Sequence, residues 1–289
     1  MYFEFLSPLS KTEVRQPSVQ SLFLELWFGE TRLAVATGFI AIGKNGPVLV
    51  TNFHNLSGRS SETGKPISPN GGIPDRVRIW HNSTGGLGKL VVRDEPLLDA
   101  DGTGRWLEHP TLGARVDVVA LPLTQFGQVE IIPSSIGVGD TPIRVGPADP
   151  VSIIGFPFGI RTGGSLAIWA TGFVASEIEV DHDDLPMFLV DCRARKGQSG
   201  SPVLSYRSGG AISLDGGDTA VFNSPVSRFL GVYSGRINEE SDLGIVWKEK
   251  AVRAVVGGFR QGTKFGSTVS TGVPLLPISV PGLGCPPPG

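Results

Sequence analysis

Glycines flank a serine in the stretch Gly197-Gln198-Ser199-Gly200-Ser201, and Pro202 follows directly. This composition suits a tight turn that presents one hydroxyl, because glycine accepts backbone angles that a Cβ forbids. The same turn leaves the N–H groups of Gly197 and Ser199 free to converge on one point, as a tetrahedral oxyanion requires. A plain surface turn of Gly and Ser fits these residues equally well. A serine hydroxyl is a weak nucleophile until a base takes its proton. The rest of the chain must therefore supply a histidine and a carboxylate.

The chain has four histidines. His81 ends a candidate strand, with Asn82 and Ser83 after it, and reads as a surface residue. His109 sits in the turn Glu108-His109-Pro110. His182 lies in Asp181-His182-Asp183-Asp184, which reads as a solvated acidic loop before it reads as a metal site. His54 differs, because it follows the apolar run Val48-Leu49-Val50-Thr51 and sits in a short turn bounded by Phe53 and Leu56. Among the acids, Asp117 opens Asp117-Val118-Val119-Ala120-Leu121-Pro122. A carboxylate at the edge of such an apolar strand is partly desolvated and must find a donor. Asp94, Asp99 and Asp101 are the alternatives to it. His54, Asp117 and Ser199, in that chain order, are the candidate base, orienting acid and nucleophile. Chymotrypsin uses this order, whereas subtilisin and the α/β-hydrolases use others.

These residues need rigid elements to hold them, and the apolar alternation supplies strands. Strands are expected at residues 21–28, 33–42, 48–51, 76–81, 88–93 and 115–123. A second series is expected at 142–145, 151–156, 165–179, 187–191, 201–205, 229–234 and 243–247. Asn45-Gly46-Pro47 is a turn signal. One helix is expected over residues 248–256. The resulting organisation is an N-terminal arm (1–20), a first strand-rich lobe (21–123), a connection (124–140), a second lobe with the helix (141–261) and a Gly/Pro-rich tail (262–289). Short strands at fairly regular spacing with one late helix indicate an all-β barrel or sandwich.

Composition narrows the function classes. The chain has 289 residues, 40% of them hydrophobic, enough for one large β domain or two small lobes with real cores. Its 40 glycines and 23 prolines favour turns over helices. A net charge of -2 gives no electrostatic case for nucleic acid. No apolar run approaches a membrane span, and the start Met1-Tyr2-Phe3-Glu4 does not resemble a signal peptide. The two cysteines, Cys192 and Cys285, make a disulfide framework improbable and favour a reducing cytoplasm.

Taken together, the motifs resemble those of the trypsin/chymotrypsin-like serine peptidases, particularly short bacterial members. Thr37-Gly38-Phe39-Ile40 resembles the strand that precedes the family's histidine, and Val50-Thr51-Asn52-Phe53-His54 resembles its Val-Thr-Ala-Ala-His. Residues 117–121 resemble the strand that bears the acid. Ile153-Ile154-Gly155-Phe156-Pro157 resembles an Ile-Gly-Tyr-Pro strand, and residues 197–202 the Gly-Asp-Ser-Gly-Gly-Pro box. Leu243-Gly244-Ile245-Val246-Trp247 resembles the last strand. The resemblance covers roughly residues 20–257.

It implies two six-stranded antiparallel β-barrels with the active site between them. It also implies a serine endopeptidase that acts through His54, Asp117 and Ser199, with Gly197 and Ser199 as oxyanion hole and neither metal nor cofactor. The expected partner is a protein or peptide substrate, with no nucleic acid or membrane, and the expected role is specific intracellular processing. The implied substrate pocket involves Arg193 at its base, Gly235 and Gly244 at its walls, and Ser234. A one-residue shift would instead make Ser234 the hydroxyl that bonds the triad acid. Arg193 either makes the pocket base cationic or turns outward. The chain departs from the family in having Gln198 where activated zymogens have Asp, and in lacking an Ile-Val-Gly-Gly start. The alternative is a peptide-binding module that keeps the fold without the chemistry.

Overall fold

A computed structural model describes residues 14–68, 71–238, 240–258 and 260–264. Most of the expected arm, the tail beyond residue 264, and Cys285 lie outside the described residues. The described part of the arm is not irregular throughout: it carries a one-turn helix, α1 (Gln16–Gln20), with Pro17 in its first turn.

The first lobe is one antiparallel sheet. Its strands are β1 (Ser21–Phe28), β2 (Thr31–Gly43), β3 (Gly46–Thr51), β4 (Arg76–Asn82), β5 (Leu90–Pro96) and β6 (Val119–Pro122), in the spatial order β5-β4-β1-β2-β3-β6. The second lobe is a closed six-stranded barrel. It is built from β7 (Pro150–Gly155), β8 (Ile168–Val174), β9 (Met187–Asp191), β10 (Pro202–Arg207), β13 (Val226–Arg236) and β14 (Leu243–Lys248), ordered β10-β13-β14-β9-β8-β7. A hairpin of β11 (Gly210–Ser213) and β12 (Thr219–Phe222) stands apart between β10 and β13. The late helix is α3 (Glu249–Val256), whose Ala251, Val252, Val255 and Val256 are buried.

Of the two six-stranded barrels expected, the second lobe is a closed one; the six-stranded sheet of the first lobe is not closed and has β5 and β6 at its edges. Irregular chain fills the gap between them. Arg105 N donates to Leu97 O at 2.9 Å, and Leu107 exchanges backbone hydrogen bonds with Ala120 at 2.8 and 3.1 Å. A side chain completes the seam. Glu95 on β5, only 1% exposed, accepts from Thr124 N at 2.6 Å, Gln125 N at 2.9 Å and Thr124 Oγ1 at 2.7 Å. A buried carboxylate is tolerated where hydrogen bonds replace its water, and here those bonds join the two edges. Residues 142–145 form no strand; they contribute a single bridge between Ile143 and Leu214.

Apolar side chains cluster inside each lobe and between the lobes. The interlobe cluster fixes the site's frame. Phe39 packs on Phe229 at 5.7 Å between ring centres, and Phe23 on Phe156 at 5.5 Å, both edge to face. Such pairs add about 0.5–1.5 kcal/mol beyond the area they bury. Ser21 Oγ donates to Ile154 O across the same boundary at 2.7 Å.

Candidate active site

His54 lies in the five-residue helix α2 (Phe53–Ser57), directly after β3. An interior strand that ends in a one-turn helix fixes the imidazole tightly, because both ends of the turn are held. At the front, the fully buried Asn52 donates from Nδ2 to Asp117 O at 2.6 Å. At the back, Gly58 takes the left-handed conformation (φ 63°) and its N–H caps His54 O at 3.0 Å. Phe53 is pinned by the buried ring of Trp106, 6.2 Å away and edge to face.

Asp117 lies two residues before β6, with its side chain 5% exposed. Its Oδ1 accepts His54 N at 2.9 Å, and its Oδ2 faces His54 Nδ1 at 2.6 Å. Ser234 Oγ also donates to Oδ2. An ionised carboxylate only accepts, so this geometry places the imidazole proton on Nδ1 and leaves Nε2 as the acceptor. Burial alone would lower the His54 pKa, but the charge of Asp117 and its hydrogen bond outweigh it and raise the pKa above the ordinary 6.5. The other acids go elsewhere: Asp94 pairs with Arg78, Asp101 with Lys264, and Asp99 accepts from Gln261.

Ser199 lies on the turn between the loop after β9 and the start of β10. The turn fits only as glycine at Gly200 (φ 88°), where a Cβ would come within 2.0 Å of Thr37 O and 2.3 Å of Thr51 Oγ1. The first lobe grips this turn. Thr37 N donates to Ser199 O at 3.0 Å. Thr37 Oγ1 donates to Gly197 O at 2.8 Å and accepts from Phe156 N at 3.1 Å. Asn55 Nδ2 reaches both Thr51 Oγ1 (3.0 Å) and Ser199 O (3.2 Å). Inside the turn, Gln198 Oε1 accepts from Arg195 N at 2.7 Å. The N–H groups of Gly197 and Ser199 donate to no acceptor among the described residues. Phe158 N donates to Lys196 O at 2.7 Å. C=O and N–H point opposite ways across a trans peptide, so this bond aims the Gly197 N–H away from Phe158. The Ser199 hydroxyl itself donates to Ser234 O at 2.9 Å.

His54, Ser199, Gly197 and Lys196 line one cleft of about 630 Å³, which Leu33, Val35 and Ile67 also line. Arg193 is not part of it. Its side chain is 83% exposed and points outward, 3.6 Å from Asp242. Ser234 takes the shifted register and bonds Asp117. Gly235 has open space where a Cβ would stand, whereas Gly244 faces the ring of Tyr233.

Thr37, Thr51, Asn52 and Asn55 emerge only in three dimensions as the groups that hold the site. Their sequence signal is polar residues at or beside buried strand ends. His81 is a correction: it is 1% exposed, inside the first lobe, with Nδ1 unpartnered. Burial and the charge of Arg93 push its pKa down to about 4, so it is neutral. No group of three or more His, Cys, Asp or Glu that could hold a metal ion occurs among the described residues. No helix among them is long and apolar enough to cross a membrane.

The family model for the trypsin-like peptidase domain matches residues 36–214. Solved structures to which the chain is similar include the active form of the Rv3671c protease from M. tuberculosis (14% identity, 86% of each chain covered, TM-score 0.46). A serine endoprotease from Yersinia pestis is similar at 14% identity, over 83% of this chain and 68% of that one, with a TM-score of 0.45. The thermostable serine protease AL20 from an extremophilic microorganism is similar at 10% identity, over 84% and 97% of the two chains, with a TM-score of 0.48. No curated protein matches significantly. With the family match spanning more than half of its length, the chain belongs to the trypsin-like peptidase family.

Proposed function

We propose that the protein is a serine endopeptidase that works through an acyl-enzyme. The observation that carries this reading is the Asp117–His54 pair at 2.6 Å, in one cleft with Ser199. In the proposed mechanism, rotation about the Ser199 side-chain bond takes Oγ from Ser234 O to His54 Nε2. The hydroxyl proton passes to Nε2 while Oγ attacks the peptide carbonyl carbon. The N–H groups of Gly197 and Ser199 donate to the developing oxyanion. Asp117 keeps the proton on Nδ1 and stabilises the imidazolium. His54 then gives its proton to the leaving amine, the C–N bond breaks, and an ester to Ser199 remains. Water, deprotonated by His54, hydrolyses that ester.

The substrate backbone would run past Gly235, where the strand surface is open. Cys192 is a free, buried thiol. Burial, with the charges of Asp191 and Asp242, pushes its pKa up to about 11, so it is unreactive. Turnover of a fluorogenic peptide library by wild-type, Ser199→Ala and His54→Ala proteins tests the reading. Each variant should lose several orders of magnitude. Turnover that survives both substitutions would refute the mechanism, and tight peptide binding without any wild-type turnover would favour the inactive binding module instead.

A further inference from the structure

Tyr233, the neighbour of Ser234 on β13, holds the nucleophile turn by its backbone. Gly200 N donates to Tyr233 O, and Tyr233 N donates to Ser201 O, both at 2.9 Å. Its side chain is 2% exposed and packs with Cys192, Ala194 and Val246 in the core of the closed barrel. The ring also occupies the space in front of Gly244. A Cβ at that glycine would stand 2.5 Å from Tyr233 Cε2 and 3.4 Å from Cζ and Oη.

A carbonyl attacked by Ser199 Oγ must sit about 3–3.5 Å from it. Two backbone segments flank that point. One is the loop of residues 193–198 that leads into Ser199. The other is the strand end at residues 234–236, fixed beside Ser199 by the bond from Oγ to Ser234 O. On one side of Ser199 the cleft opens toward Leu33, Val35 and Ile67. On the other, between the two segments, a substrate side chain would have to enter the space that faces Gly244. The Tyr233 ring stands against Gly244, and the Arg193 side chain points outward to Asp242.

Resting on the peptidase reading above, we infer that Tyr233 plugs the side-chain pocket on the acyl side of the cut. The residue before the scissile bond is therefore restricted to Gly, Ala or Ser. Recognition of larger side chains shifts to the open, apolar part of the cleft. Excluding a bulky group sterically discriminates more strongly than rejecting one extra methylene, which is worth about 10–200-fold.

The test is a positional-scanning peptide library, run on wild-type protein and on Tyr233→Val, a smaller residue suited to a strand. Wild-type protein should cleave after Ala or Gly at least about tenfold faster, in kcat/KM, than after Leu, Phe or Arg. Tyr233→Val should raise the Leu and Phe values relative to Ala by at least about tenfold. The inference is overturned if wild-type protein cleaves after Leu, Phe or Arg as well as after Ala. It is also overturned if Tyr233→Val still reacts with a fluorophosphonate but keeps the wild-type profile. If Tyr233→Val does not fold, the wild-type profile alone decides. Wild-type protein that neither cleaves nor labels would overturn the peptidase reading itself, and this inference with it, which keeps the two failures apart.

Discussion

Thr37→Val exchanges a hydroxyl for a methyl of almost the same shape at a fully buried position. In the wild-type protein Thr37 Oγ1 joins two backbone groups, donating to Gly197 O and accepting from Phe156 N. Neither group has another protein partner among the described residues. Removal of the hydroxyl leaves both unsatisfied. At about 1–3 kcal/mol for each buried unpaired group, the expected loss of stability is about 2–6 kcal/mol. If the turn instead swings outward to wet Gly197 O, part of this energy is recovered and the oxyanion donors lose their place. Stability then falls less and kcat falls more, with KM little changed, since the lost contact acts in the transition state. Thr37→Ser keeps the hydroxyl and should restore most of both quantities. Urea melts and steady-state peptide kinetics read the two components. A Thr37→Val protein with wild-type kcat and a stability change below about 0.5 kcal/mol, the level of an inert surface substitution, would refute the reasoning.

Asp117→Asn replaces an acceptor-only group with one that can present an N–H to His54 Nδ1, which turns the tautomer around. Turnover should fall on the order of 10⁴-fold, about 5.5 kcal/mol of barrier, with the melt showing a folded protein. The acid limb of kcat/KM in wild-type protein should lie above pH 6.5, because the folded-state pKa of His54 is raised and only the neutral imidazole acts as base. The sign for stability is opposite: the charged His54–Asp117 pair stabilises the fold fully below the unfolded pKa near 6.5 and ceases to as pH rises through the folded value. Pairwise pH melts of wild-type protein and Asp117→Asn should show this. Gly200→Ala should destabilise by about 2–5 kcal/mol, since it combines a left-handed backbone with a clash against Thr37 O; a melt at the wild-type midpoint would contradict that. Finally, removal of residues 1–20 should destabilise the protein and not activate it. Ser18 Oγ accepts from Trp169 Nε1 at 2.8 Å, and Val19 O from Asn82 Nδ2 at 2.7 Å, so the end of the arm ties the lobes together. Gain of activity on truncation would overturn this.

Much of this architecture was legible in the sequence because short apolar-rich runs bounded by turn residues mark the strands. The strands at 21–28 and 187–191 were delimited to the residue. On β4 the alternation is strict. Val77, Ile79 and His81 share the inward face of β4, so the period that identified the strand also assigned His81 to the interior. The β11–β12 hairpin left no such signal, because residues of both strands are largely exposed and set between glycines. The open seam of the first lobe could not be read either, since it depends on Glu95 reaching residues 29 and 30 positions away. At the candidate site, residue types and order pointed to His54, Asp117 and Ser199. The grip of Thr37 and Asn55 on the nucleophile turn spans 160 and 144 positions, and only tertiary structure shows it. The direction of Arg193 was equally hidden, because its partner, Asp242, comes from the approach to a different strand.

The central claim is that Ser199 is a nucleophile activated by His54 in the intact chain. Incubation of full-length protein with a fluorophosphonate, followed by peptide mass spectrometry, tests it most directly. The account predicts one covalent phosphonyl group per chain, carried on Ser199, without N-terminal processing, and abolished by Ser199→Ala and strongly slowed by His54→Ala. An unlabelled wild-type protein, or a label on any other residue, would contradict it.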